Sequence, residues 1–281
     1  MKRITLFLLI LSIAAFLNRQ AEAQGGLPYS SGDLLMGFWA TSLNGSSQDY
    51  LIDLGQVTNF ENLAPGASIT LLSSSTSSIG NINADLKSVF GTNWIQDTSL
   101  NWAVAGVGSS GDPTNTMYAS IAESTPGTIE AGWDENTSHT QGTPYGKING
   151  IGTTASSQDT PTTNSGHAVI QNDSDTSSWE SYMAASSNGD TAFAYFNGGI
   201  GGPFGIAATT AGDTPLDLYQ LKPGSNTTEG NYLGTFTIDS IGDLTFTNEE
   251  AVPEPATYGL LISGLGAFAL MRRRGLRGFR S

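Results

Sequence analysis

Two apolar segments, one near each end, constrain this chain most, because neither suits a water-soluble domain and only the stretch between them is left to build one. Residues 1–23 have the layout of a secretory signal peptide. Lys2 and Arg3 make a charged start, residues 4–17 an apolar stretch, and Ala21-Glu22-Ala23 a small-residue cleavage site before Gln24. Asn18, Arg19 and Gln20 end the apolar stretch too early for a comfortable membrane span. At the other end, Val252-Pro253-Glu254-Pro255 precedes an apolar run over residues 256–271 and then Arg272, Arg273, Arg274, Arg277 and Arg280. Pro253 and Pro255 fix φ and remove two backbone donors, which predicts an exposed, extended tetrapeptide that a processing enzyme can grip. The sixteen residues of the run reach only ~24 Å as a helix, against ~30 Å of hydrocarbon. The expectation is one short transmembrane helix whose arginines snorkel to the headgroups and hold the extreme C-terminus in the cytoplasm.

The order of VPEP, apolar run and arginines resembles the PEP-CTERM sorting signal of exported bacterial proteins. The resemblance implies processing by exosortase, an integral-membrane transpeptidase-like protease of Gram-negative bacteria that make exopolysaccharide. Signal peptidase would act at the other end. The expected course is export across the inner membrane, a membrane-anchored precursor, and then the cell surface or extracellular matrix. The blocks GDLLMGFWA, DYLIDLG, LDLYQL and YLGTFTIDSIGDLTFT also resemble an ectodomain type that recurs in PEP-CTERM proteins of polysaccharide-producing bacteria, from which no functional residue follows.

The division expected is therefore 1–23 signal peptide, 24–250 ectodomain and 251–281 sorting signal. Of the 11 Lys and Arg, only Lys87, Lys147 and Lys222 fall in the ectodomain, while all but Glu22 and Glu254 of the 25 acidic residues do. A field so negative repels nucleic acid, which sets that class of partner aside. No cysteine is present, so disulfides, thiolate metal sites and cysteine nucleophiles are excluded and the core must hold without staples.

Short apolar runs between Gly-, Ser-, Thr- and Asn-rich turns predict a mainly β ectodomain, an antiparallel β-sandwich-like fold with a few short helices. Strands are expected at 33–40 and 49–54, joined as a hairpin, and at 68–72, 100–107, 116–122, 191–196, 216–221, 232–238 and 243–247. A helix is expected at 84–90 with Asn83 as cap and Gly91 as terminator. Short helices are also expected at 167–171 and 178–185, and long surface loops over 123–166.

Candidate chemistry is sparse. His139 and His167 are the two histidines, neither accompanied by a G-x-S-x-G elbow, so a serine hydrolase is not expected. Asp134-Glu135 is the adjacent acid pair that a glycosidase would use, although an acidic chain contains such pairs by chance. Asn172-Asp-Ser-Asp-Thr-Ser-Ser178 with Glu180 offers the alternating oxygens that calcium takes, but it lacks the sixth-position glycine and twelfth-position glutamate of an EF-hand. No cofactor is expected, with calcium the one exception open. Trp39 and Trp102 sit in apolar strands and read as core; Trp133 and Trp179, with polar neighbours, are the tryptophans for stacking on a sugar. The expectation is a non-catalytic structural or binding ectodomain linked to exopolysaccharide or biofilm. The alternatives are a carbohydrate-binding module or a carboxylate-dependent glycosidase.

Overall fold

The computed structural model describes residues 26–42, 45–72, 82–158, 162, 167–183, 200, 202–203, 214–225 and 228–248. The signal peptide, the strand expected at 191–196, the VPEP motif, the helix at 256–271 and the arginine tail lie outside them.

The strands are β1 (Asp33–Ala40), β2 (Gln48–Gln56), β3 (Ser68–Leu72), β4 (Leu100–Val107), β5 (Met117–Ala122), β6 (Ala168–Asn172), β7 (Gly202–Pro203), β8 (Leu216–Leu221), β9 (Asn231–Ile238) and β10 (Leu244–Thr247). All pairings among them are antiparallel. They run in the order β3-β10-β9-β8-β5-β4-β1-β2-β6, with β7 on the side of β4. The described strands thus form one continuous sheet, where the sandwich expectation has two facing each other. The sheet curls. Phe60, in the short helix α1 (Thr58–Glu61) just after β2, lies 5.7 Å from the ring of Phe236 on β9 and 5.1 Å from Phe246 on β10, although four strands separate β2 from β9 in the sheet.

Burial explains why β1 and β4 read as continuous apolar runs. Side chains alternate across a strand, and here both faces are covered. Leu34, Met36, Phe38, Trp102 and Val104 enter the core inside the curl, with Leu86 and Phe90 of α2 (Asn83–Phe90) and Trp94 of the following 3-10 turn. Leu35, Trp39, Ala103 and Ala105 enter a second core on the other face, under α3 (Ser138–Ala155) and α4 (Trp179–Met183). Both Trp39 and Trp102 are core residues, as expected.

Three local expectations are corrected. The helix expected at 84–90 begins at Asn83, whose side chain takes the indole N–H of Trp94 at 3.0 Å instead of capping. Residues 168–172 form a strand, not a helix, because Ala-Val-Ile pairs with β2 from Ile52 back to Gln48. The loops expected over 123–166 contain the 18-residue α3, with Pro144 in its interior. Its sequence is poor in helix formers, and an interior proline costs about 3 kcal/mol. Tertiary contacts supply what propensity lacks: Ile148, Ile151 and Ala155 are fully buried on the sheet, and Gln141 donates to the Leu221 carbonyl at 3.0 Å. Thr137 caps the N-terminus by accepting the Thr140 N–H.

Candidate functional site

Because β1 and β2 are antiparallel, the start of β1 lies beside the end of β2: Asp33 pairs with Gln56 and Leu35 with Asp53, with a register shift between Leu34 and Leu35. That irregularity brings the carboxyls of Asp33 and Asp53 together. Asp33 accepts the Ser30 N–H and the Gln56 side-chain amide. Asp53 accepts the N–H of Gly55 at 2.7 Å, and Gly55 has φ of 82°, a conformation glycine adopts without strain. The Asp53 N–H donates to the His167 carbonyl at 3.0 Å, which adds His167 to the group. Ser30, Asp33, Asp53, Gly55, Gln56 and His167 are among the residues lining an open cleft of about 360 Å³.

Both carboxylates are nearly buried. Burial pushes the Asp53 carboxyl up to about 6; the Gly55 N–H pulls it down, while the charge of Asp33 and a hydrogen bond with that carboxyl push it up. Beside that charge in a poorly solvated site, Asp53 holds its proton more readily than a free carboxyl does. Tyr29 stands beside them, its phenol raised above the ordinary range by burial and by Asp33. Its ring crosses Gly152 of α3, where an added Cβ would come within 2.5 Å of ring carbons, and its hydroxyl donates to Asn149 at 3.1 Å. Chemically the cleft offers clustered acceptors and one exchangeable proton, suited to holding hydroxyl groups. A second open cleft, of about 420 Å³, lies beyond the end of α2 between Phe90 and Thr98. Asp97 in its lining is already engaged by the N–H and hydroxyl of Ser99.

The residues singled out in sequence lie elsewhere. Asp134 is exposed and bridges to Glu229, and the Glu135 N–H donates to the Thr228 carbonyl, so the adjacent acids fasten a loop and neither lines the cleft. His139 is exposed in the first turn of α3. Trp133 is half-buried against the second core and donates to the Ser120 carbonyl at 3.1 Å. Trp179 is fully buried, stacked where a Cβ on Gly37 would come within 2.1 Å of its ring, so no face of it is open to a sugar. Residues 172–178 form a turn closed by the Asp175 N–H on the Asn172 carbonyl and the Ser178 hydroxyl on the Asp173 carbonyl. Among the described residues, no three His, Asp or Glu side chains group around a metal position. Ala21, Ala23 and Gln24, Val252 to Pro255, and the tail arginines lie outside the described residues, among which no helix is long and apolar enough to cross a membrane.

The pair at Asp33 and Asp53 was missed because its geometry comes from the register between a strand's start and another's end. The sole hint in the sequence was an Asp at the edge of each of two expected hairpin strands.

No curated protein and no solved structure matches the chain. Residues 251–275 match the family model of the PEP-CTERM protein-sorting motif. The chain thus carries, over those residues, the sorting signal of exported, cell-surface-directed proteins that exosortase processes.

Proposed function

We propose that this is a cell-surface or extracellular-matrix protein, anchored as a precursor by residues 256–271 and then released from that anchor by exosortase, with an ectodomain that is a non-catalytic structural or binding module associated with exopolysaccharide. The observation that carries this reading is the sorting motif at residues 251–275. The strong acidity of the ectodomain agrees with a place outside the cell, where it keeps the domain soluble and apart from anionic lipid.

Intact mass spectrometry of protein recovered from the surface and medium of an exosortase-bearing host tests the reading. The expected species starts at Gln24 and ends near the VPEP motif. A chain that retains Arg272 to Ser281 refutes processing, and so does unchanged tail removal when Pro253, Glu254 and Pro255 are all replaced by alanine.

The cleft at Asp33 and Asp53 favours one second reading, a carbohydrate-binding module. Its two carboxyls are close enough to act on each other, and both are nearly buried. Such a pair suits gripping adjacent sugar hydroxyls. Trp133, half-buried, would supply at most one edge of a platform. Glycan retention that survives both Asp53→Asn and Trp133→Ala would remove this reading.

A further inference from the structure

Buried polar atoms in a folded protein almost always have partners, so those that lack them point to something the fold is built to receive. Among the described residues, five buried side-chain atoms have none: Asp49 Oδ1, Gln158 Oε1, Gln171 Nε2, Trp179 Nε1 and Glu180 Oε2. They are not scattered. Asp49 on β2 pairs in register with Gln171 on β6, and these side chains together receive the start of α4. Asp49 Oδ2 accepts the Glu180 N–H at 2.8 Å, and Gln171 Oε1 accepts the Trp179 N–H at 3.2 Å. Gln158 reaches the same corner through the Asp175 carboxylate.

The second oxygen of Asp49 is thus left over after its first has fixed α4, and Asp49 is completely buried. The Glu180 carboxylate stands close enough to act on Asp49 electrostatically, and Asp173 and Asp175 add to the same field. Four carboxyl groups therefore converge on a corner where two buried carboxyl oxygens lack partners, a costly arrangement unless a proton or a cation relieves it.

We propose that this corner between β2, β6 and α4 binds a divalent, oxygen-seeking cation of the calcium type, with Asp49 Oδ1 and Glu180 Oε2 as its two carboxylate ligands. The donors are all oxygen, with no histidine or thiolate, which selects a hard cation over zinc or copper. Since no three acidic or histidine side chains group around one point among the described residues, the ion keeps part of its water shell. Asp173 and Asp175 supply field from further out, and the amides and indole of Gln158, Gln171 and Trp179 are placed for contacts to bound water. By fixing Asp49 to Glu180, the cation ties α4 to the sheet. The site is independent of the sorting and glycan readings.

The test uses the full-length chain, purified in detergent and stripped with chelator, followed by thermal melting and terbium luminescence excited through tryptophan. Calcium at about a hundred times its Kd is expected to raise Tm by about 5–10 °C for a domain of this size. Terbium is expected to give sensitised emission that calcium displaces. Asp49→Asn keeps an acceptor for the Glu180 N–H and Glu180→Gln leaves the backbone contact intact, so either can report without loss of fold; both are expected to abolish the Tm shift and the displaceable emission. A wild-type Tm that calcium leaves unmoved overturns the proposal. So does a shift of equal size in both variants, which would mean diffuse binding to the acidic surface.

Discussion

Asp53 binds its proton more tightly in the folded chain than in the unfolded one, because burial and the neighbouring Asp33 raise its carboxyl to about 6 from an ordinary value near 3.9. A carboxyl shifted upward stabilises the fold fully below its unfolded value, and that contribution is lost as pH rises through about 6. Burial also moves Asp49 up to about 8 and Glu123, beside Asp217, up to about 7. All three therefore tilt stability the same way, toward mild acid. Asp53→Asn stays neutral at every pH and retains the oxygen that accepts the Gly55 N–H. Its Tm is expected to match wild type near pH ~4 and to exceed it at pH ~7, so the difference between the two melting curves grows through about pH 6. Parallel curves across that range would mean that Asp53 does not hold its proton more tightly in the folded chain.

Elements whose burial agrees with their local chemistry were legible in the sequence, and those held by distant contacts were not. The edges of β1, β4, β8 and β9 follow apolar runs ended by turn residues, and Gly242 with φ of 85° turns β9 into β10 as a Gly-containing turn should. In contrast α3 has Gly142, Gly146, Gly150, Gly152 and Pro144 among its 18 residues, a composition that reads as loop. Its helix exists because Ile148, Ile151 and Ala155 reach one face of the sheet. Residues 172–178 with Glu180 offer calcium-type oxygens in the sequence, but Asp49, whose carboxyl accepts the Glu180 N–H, lies 131 residues before it. No pattern within the segment indicates it. If α3 owes its helix to packing, a peptide of residues 137–156 should show little helix by circular dichroism in water. Ile151→Ala in the whole protein should cost about 2–5 kcal/mol in denaturant unfolding. A strongly helical peptide, or a loss under about 1 kcal/mol, would show that the segment's own propensity carries the helix.

Across the whole molecule, the decisive contact joins the two halves of one sheet. Seven of the nine described strands in the main path pair with a neighbour in sequence, β1 with β2, β4 with β5, β8 with β9 and β9 with β10, but the contacts that join these units link strands far apart in the chain, and the sequence marks the strands without their order. β3 illustrates the gap: its apolar run follows β2 in the chain, yet it pairs with β10 at the far edge, with Ser68 opposite Thr247. Phe60 is what makes this order close on itself. It leaves β2 in α1 and packs edge-on against Phe246 while touching Phe236, whose own ring lies 4.7 Å from that of Phe246. The curl is thus fastened by three aromatic rings, each buried inside the same core as Trp94 and Trp102. If they hold the early and late strands as one cooperative unit, Phe60→Ala should lower stability by about 3–5 kcal/mol. It should also raise hydrogen exchange in β9 and β10 as much as in β2, even though β9 and β10 are contiguous with neither the mutation nor β2 in sequence. A variant that loosens β2 alone would show that the curl is set by the sheet's own twist, and that the aromatic contact only follows it.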